Sequence, residues 1–423
     1  MKKKLTFFLI VCFTMVSIFA NGQKAEQDTE EVQNKEVRAM LCVNEAQMAS
    51  YEALFKRIKE DTGITVKGDY VKNWDEFNQK LMTQMAAKNP PDILDVSVIY
   101  KDQYISNNYL MDMTPYMEDF DFIPYYGAML DSYRKDGKIY GFPNGCTSIA
   151  VYYNKALFDE AGLEYPTSDW SKSMNWDQFL QTVTLLTKDD SGNKQYGFST
   201  TFEIGWLLPL IWQHNARFIS EDGTKCAINT KEGIEALEYV QSIMFDNNAS
   251  PSYSELKSLG PADLFKAGKL ATFMDGDWWM GYFSDIEDFE WGVAALPQDE
   301  RSVTGFYIDG WAIANRAKNP KDAAEVIKYF ASKEGLTSGI AKGTPPMISL
   351  AEKEIESLYP YVDDATRQTW KGALAIGETP SFTKNWAQVV SEANKVLERM
   401  SLGLVTPAEA AAEMETNVNR VLL

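Results

Sequence analysis

The chain has 423 residues, with 60 acidic against 41 basic side chains and a formal net charge of −19. That balance argues against nucleic acid as a partner, because phosphate binding needs clustered positive charge. The length exceeds one ordinary core, so two lobes are expected.

The N-terminus carries a targeting pattern. Lys2-Lys3-Lys4 leads an apolar run from Leu5 to Phe19, and Ala20-Asn21-Gly22 follows. A basic head, a short apolar middle and small residues read as a secretion signal cleaved after Gly22. The run is too short to span a bilayer comfortably. Cys12 follows Val11 and precedes more apolar residues, so a lipid anchor is not expected there. The polar stretch Gln23–Glu36 reads as a disordered tether. Removing residues 1–22 takes three lysines away and moves the net charge to −22. The acidity reads as solubility. Cys42, Cys146 and Cys226 remain, an odd and widely spaced set without zinc spacing or the look of a disulfide framework.

Val37–Val43 reads as a short apolar strand. Met48, Tyr51, Leu54, Phe55 and Ile58 then share one helix face, and Gly63 supplies the stop. Ile64–Val71 reads as a second strand. Asn73 is placed to cap a helix whose Glu76 completes a capping box, with Phe77, Leu81 and Met85 facing inward. Pro90-Pro91 ends that helix before the strand Ile93–Val98. This β-α-β-α-β order predicts a parallel sheet with right-handed crossovers.

Tyr140–Ala161 reads as a tight turn carrying Gly141, Pro143, Asn144 and Gly145, then the strand Thr147–Tyr153, then a helix from Asn154-Lys155. A capping box, Asn175-Trp176-Asp177-Gln178, opens a helix with Phe179, Val183 and Leu186. Thr230–Phe245 is amphipathic. Trp291–Leu296 and Tyr307–Ala314 are strand-like; Asp322–Ala331, Glu352–Leu358, Trp386–Met400 and Pro407–Val421 read as helices. The recurrence of Asn-Trp-Asp-(Glu/Gln)-Phe at 73 and 175 reads as shared capping chemistry, and no solenoid-length repeat is found.

The single histidine, His214, excludes a histidine metal cluster and leaves one place for a Ser/His/Asp triad, with no serine elbow nearby. No GxxxxGK[ST] or strand-linked GxGxxG sequence occurs, so nucleotide phosphates have no cradle, and no cofactor is expected. Aromatic residues make up 13% of the chain, and several fall at predicted strand ends or loops: Tyr100, Trp206, Trp278-Trp279, Trp311 and Trp386. Flat rings with polar edges suit sugars, which show C–H groups on their faces and hydroxyls at their rims. Asn44, Glu45, Asp95, Glu203, Asp277 and Asp309 can exchange hydrogen bonds with such hydroxyls.

These pieces, in order, resemble the family 1 extracellular solute-binding proteins, the maltose-binding-protein-like sugar-capture components of ABC importers. The resemblance covers nearly all of the mature chain. It rests on Asp61-Thr62-Gly63-Ile64, Pro91-Asp92-Ile93-Leu94, and Tyr140-Gly141-Phe142-Pro143 running to Tyr153-Asn154-Lys155. Further on come Phe265-Lys266-Ala267-Gly268-Lys269-Leu270-Ala271, Asp275-Gly276-Asp277-Trp278, Trp291-Gly292-Val293 and Leu296-Pro297.

The resemblance implies an α/β, two-lobed periplasmic-binding-protein fold, each lobe a mainly parallel sheet flanked by helices. The implied hinge segments are about 144–149, 293–298 and 338–345. Lobe one would comprise 37–145 and 298–340, and lobe two 146–297 and 341–423. The implied ligand-binding residues are Asn44, Glu45, Tyr100, Thr147, Glu203, Trp206, Trp278, Asp309, Trp311 and Trp386. Tyr307, Asp309 and Trp311 fall on the loop that faces the cleft in the family. Several charged family positions are uncharged here (Ala46, Ile99, Tyr100, Thr147 and Val390), and Val96 stands where a tryptophan is expected, which keeps the sugar expectation but not maltose itself.

The expected partners are a small carbohydrate and the membrane subunits of an ABC importer, with the protein a periplasmic monomer that performs no catalysis. A secreted glycosidase or polysaccharide lyase using two carboxylates is the competing enzyme reading. A polyamine or other solute on the same fold is the competing binding reading.

Overall fold

The computed structural model describes residues 35–190, 193–353, 356, 360–380 and 382–422. The secretion signal and nearly all of the tether lie outside them, although Glu36, read as tether, opens the first strand. The part of the expected helix Glu352–Leu358 beyond Lys353 also lies outside them, apart from residue 356.

The first third follows the expected order: β1 (Glu36–Cys42), α1 (Glu45–Thr62), β2 (Thr65–Val71), α2 (Trp74–Ala86), β3 (Ile93–Ser97) and α3 (Val98–Ser106). β1 pairs in parallel with both β2 and β3. Asn44 Oδ1 accepts from Gln47 N at 2.9 Å and Gln47 Oε1 accepts in return from Asn44 N, so α1 has a full capping box. Gly63 closes it at a φ of 75°, which glycine adopts without a Cβ clash. Tyr51, Leu54, Phe55 and Ile58 are buried, whereas Met48 in the first turn is exposed. Asn73 Oδ1 accepts from Glu76 N at 2.9 Å and starts α2.

The chain then crosses. β4 (Phe142–Asn154) is buried along its whole length, where a turn and a shorter strand were expected. The turn residues are absorbed into pairing. Pro143 and Gly145 lie opposite Gly310 and Asp309, so Asn144 is an extra residue in a bulge, a site where a strand tolerates proline. Asn154 caps α4 (Lys155–Ala161), and a full Asn175–Gln178 box opens α5 (Trp176–Leu185).

After β5 (Lys188–Asp190) and β6 (Asn193–Thr200) come α6 (Ile204–Gln213), α7 (Lys231–Gln241), β7 (Leu270–Gly276), β8 (Trp291–Ala294) and β9 (Thr304–Ile313). α8 (Pro320–Ala331), α9 (Asp364–Ala373), β10 (Gly377–Glu378), α10 (Trp386–Ser401) and α11 (Pro407–Leu422) finish the chain. Periodicity misses α6 and β7 for one reason. α6 is apolar around nearly its whole circumference and β7 is buried on both faces, so neither alternates.

Strand order is β2-β1-β3-β9-β4-β7-β6-β5, with β8 beside β4 and β10 beside β9. β9 runs antiparallel to β3 with Asp309 opposite Ser97, so residues before 309 extend past the carboxyl end of β3. β4 runs antiparallel to β7 with Ile149 opposite Gly276, so residues before 149 extend past the carboxyl end of β7. Two parallel sets, β1–β3 and β6–β7, therefore point their carboxyl ends at each other across the middle of β4 and β9.

A third segment joins them at Lys342–Thr344, where Cys146 and Thr344 exchange two backbone hydrogen bonds of 2.8 Å. The implied crossing at 293–298 is made instead by β9. Val293 and Ala294 pair in β8 with Tyr152 and Val151, on the far half of β4.

Each lobe has its own core. Val37, Leu41, Tyr51, Trp311 and Ile327 lie in one, joined by Met347 and Leu350. Ile149, Val151, Trp176, Leu207, Leu237 and Trp386 lie in the other. Phe306 and Phe382 pack against hydrophobic clusters of both lobes.

Candidate functional site

The carboxyl end of β7 carries Asp275-Gly276-Asp277-Trp278. The Trp278 ring lies over Gly276, where a Cβ would stand 2.0 Å from Trp278 Cζ3. Only glycine lets the ring fold back there, and the ring stays 39% exposed. Two further rings complete a trio. Trp206, on the first turn of α6, stacks on Tyr307 of β9 at 6.4 Å and 22°. Trp278 stands edge-on to both, 6.5 Å from each. Tyr307 is fixed from behind by its hydroxyl, which donates to Gly205 O at 2.5 Å.

Asp275 orients this wall. Its Oδ1 accepts from Trp206 Nε1 at 3.0 Å and its Oδ2 from Thr201 Oγ1 at 3.0 Å. Burial nonetheless pushes its carboxyl up to about 6. Asp277 is buried at 4% exposure, and its Oδ1 has no hydrogen-bond partner among the described residues. Burial, with the like charge of Asp309, pushes Asp277 well above the ordinary carboxylate range. Thr147 on β4 is nearby, its Oγ1 donating to Tyr307 O at 2.9 Å.

The opposite wall begins at the crossing segment. Lys342 Nζ lies 3.0 Å from Asp95 Oδ2 and 3.2 Å from Asp309 Oδ2, and 5.1 Å from the centre of the Trp74 ring. Burial works to lower the Lys342 ammonium, but the two carboxylates outweigh it and hold it above its ordinary value. Asp95 is fully buried. Desolvation pushes it up to about 6 despite Lys342 and the bond from Cys42 N at 2.8 Å. Trp74 packs at 5.8 Å from Tyr100, and both rings are half-buried at the carboxyl ends of β2 and β3.

The expected site residues divide. Thr147, Trp206, Trp278 and Asp309 gather at the crossing strands, and Glu203 stands half-buried just ahead of Trp206. Tyr100 lies on the facing wall. Asn44 and Glu45 follow the carboxyl end of β1, where Asn44 is exposed and caps α1 and Glu45 is exposed and pairs with Lys72 at 3.2 Å.

Trp311 is 0% exposed in the first core, with Nε1 donating to Tyr51 Oη at 2.8 Å, so its ring offers no surface to a ligand. Trp386 is 4% exposed between Phe218 and Phe382. Tight burial of α10 against the second core takes that ring out of reach.

Sequence reasoning missed Trp74, Asp275 and Lys342. Trp74 was masked by its role beside a cap, whereas Lys342 had a signal, a lone charge in the apolar stretch Ile340–Met347. His214 sits at the end of α6 between Asp299 and Glu235, stacked on Trp176 at 5.4 Å. A separate cavity of about 320 Å³ opens between α3 and the loop before α10, lined by Asp102, Ser106 and Lys135 on one side and Asp222, Thr383 and Lys384 on the other. It shares no lining residue with the aromatic trio.

Comparison with known proteins fits this geometry. The family model described as bacterial extracellular solute-binding protein matches residues 53–358. The diacetylchitobiose binding protein of Streptomyces coelicolor is 22% identical, covering 100% of this chain and 99% of its own. The erythritol/L-threitol-binding protein of Mycolicibacterium smegmatis is 28% identical, covering 81% of this chain and 78% of its own. An ABC substrate-binding protein from Listeria monocytogenes, solved in complex with cycloalternan, superposes with a TM-score of 0.81 at 26% identity, covering 91% of this chain and 98% of that one.

Proposed function

This chain belongs to the bacterial extracellular solute-binding proteins, and we propose that it captures a carbohydrate between its lobes and presents it to the membrane subunits of an ABC importer. As a member of that family it works outside the cytoplasm. The observation that carries the sugar reading is the ring trio Trp206, Trp278 and Tyr307 set beside Asp275 and Asp277, facing Trp74 and Tyr100 across the crossing strands. Rings stack on the C–H faces of a pyranose, and carboxylates accept from its hydroxyls. The diacetylchitobiose, erythritol/L-threitol and cycloalternan named for its relatives are in keeping with this class.

In this proposal ligand settles on one wall and the lobes close by rotation about β4, β9 and the 342–344 segment, the hinge closure known for periplasmic binding proteins. The ligand favours the closed form only by its differential affinity for that form. Met347 and Leu350 pack in the first core, so in our reading the chain returns to the second lobe after Leu350 rather than at 341. We further propose a secretion signal over residues 1–22, a periplasmic monomer, and binding without turnover.

A thermal-shift screen followed by calorimetry tests the reading, since a ligand that binds the folded state raises its melting temperature. Mono- and oligosaccharides are offered beside spermidine. Stabilisation by at least one sugar is expected. Tight binding of spermidine with failure of every sugar would overturn the carbohydrate assignment. Release of new reducing ends, abolished by removing one cleft carboxylate, would overturn the non-enzymatic one.

A further inference from the structure

Among the described residues, the carboxylates at the crossing strands outnumber the cations paired with them. Asp95, Asp275, Asp277 and Asp309 all stand within this region, and Lys342 is the cation ion-paired there, divided between Asp95 and Asp309. Asp275 is satisfied by Trp206, Thr201 and the Gly276 N–H. Asp277 is satisfied only in part: a backbone N–H bonds its carboxylate, but among the described residues no ion pair reaches it, and its Oδ1 lacks any hydrogen-bond partner although the residue is buried.

The position of Asp277 is built rather than incidental. Gly343, which has no side chain, makes the room for it. At Gly343 a Cβ would stand 2.6 Å from Asp277 Oδ2 and 2.9 Å from Thr147 Cγ2, so the carboxylate rests directly on the backbone of the third crossing segment. The residue before Asp277, Gly276, lets the Trp278 ring fold back over the backbone. Tyr361, partly exposed, stands close enough to feel its charge.

A carboxylate buried without a counter-charge is costly, and burial alone drives it towards its neutral form. A guest that brings a cation removes that cost. A guest that brings a second anion meets Asp277 and Asp309 together.

From this geometry we infer that the preferred saccharide is an amino sugar, its protonated amine pairing with Asp277 while its ring lies on Trp278. The inference rests on the carbohydrate reading above and narrows it. A neutral hydroxyl can also donate to Asp277, but a charge-assisted bond is about twice as strong and leaves no unpaired charge behind. The Trp278 ring, next in sequence, adds to the attraction, since a cation is drawn to the face of a ring. Uronates and sulfated sugars are disfavoured by the same arrangement.

The test is calorimetry on the whole mature chain at neutral pH with matched pairs. Glucosamine, galactosamine and mannosamine are each set against their parent hexose, and short chitosan oligosaccharides against their N-acetylated counterparts. The expected result is that the amine-bearing member of at least one pair binds about tenfold tighter than its neutral counterpart, a difference of about 1.4 kcal/mol. Asp277→Asn, close to isosteric, is expected to narrow that margin to about threefold or less, whatever it does to the absolute affinities. Neutral sugars binding as tightly as their amines, or a margin that survives Asp277→Asn in a variant with unchanged melting temperature, would overturn the amino-sugar assignment and leave the carbohydrate reading standing. Failure of every saccharide, charged or neutral, would bring down both.

Discussion

The Lys342 ammonium lies 3.0 Å from Asp95 Oδ2, so a charge carried by the third crossing segment is buried against the end of β3. The backbone is equally close-fitted: at Gly145 of β4 a Cβ would stand 1.8 Å from the Lys342 carbonyl oxygen. Side-chain charge and backbone contact thus tie all three crossing segments at one place.

Removing the cation should cost more than its hydrogen bonds. Lys342→Met leaves Asp95 buried with no opposite charge, which typically destabilises by about 3–5 kcal/mol. Adding Asp95→Asn to that variant should recover part of the loss. Urea unfolding of the wild type, the single and the double variant measures both effects. A single variant as stable as the wild type would refute the role given to the pair.

The tryptophans should separate by burial. Trp278→Ala is expected to weaken carbohydrate binding by about 1–3 kcal/mol with little change in melting temperature, because the ring is 39% exposed. Trp311→Ala and Trp386→Ala should instead lose about 3–5 kcal/mol of stability, as core truncations do. Calorimetry beside thermal unfolding reads the two quantities independently. A Trp311 variant with native stability and lost affinity would place that ring in the site after all.

Gly276→Ala offers a way to perturb the cleft without deleting a ring. The new Cβ would occupy the space of Trp278 Cζ3, at 2.0 Å, so the indole must swing away. Affinity for sugars should fall by a factor comparable to that of Trp278→Ala, and the tryptophan fluorescence should shift as the indole moves into water. Unchanged binding would mean that the stacked position of Trp278 is not used.

The pH dependence follows from Asp275. Burial raises its carboxyl from an ordinary 3.8 to about 6 in the folded chain. The folded state therefore holds its proton to higher pH than the unfolded state does. The stability this group contributes is fully present below 3.8 and is lost as pH rises through about 6. Asp95 shifts the same way, whereas Asp169 and Asp222, lowered by hydrogen bonds, act in the opposite sense. The readout is accordingly the difference between wild type and Asp275→Asn in urea unfolding from about pH 4 to pH 7. The variant should lose a decline of roughly 1–3 kcal/mol over that range. Parallel curves would show that Asp275 does not titrate there.

Much of the architecture could be read locally because caps and periodicity are local. Asn44, Asn73, Asn154 and Asn175 each open a helix with a side-chain bond to a backbone N–H three residues on, and the β-α-β-α-β run forms a parallel sheet as its order requires. The aromatic and acidic content pointed to a sugar-like guest, and family motifs pointed to two lobes. Legibility failed where an element has no contrast between its faces, as in α6 and β7, and where a turn signal was overruled by pairing. Asn144 and Gly145 read as a turn, but β9 on one side and the Lys342–Thr344 segment on the other hold them extended.

The clearest division lies on β9. Period-two alternation puts Tyr307, Asp309 and Trp311 on one face, and that much the order of residues determined by itself. Tertiary structure decided how far along that face the cleft reaches. Each step of two residues advances about 7 Å. Tyr307 therefore packs with the second lobe, Asp309 meets Lys342 at the crossing, and Trp311 is already sealed in the first core beside Tyr51. A side chain's face is set by its neighbours in sequence. Its depth is set by strands hundreds of residues away, whose pairing no local pattern records.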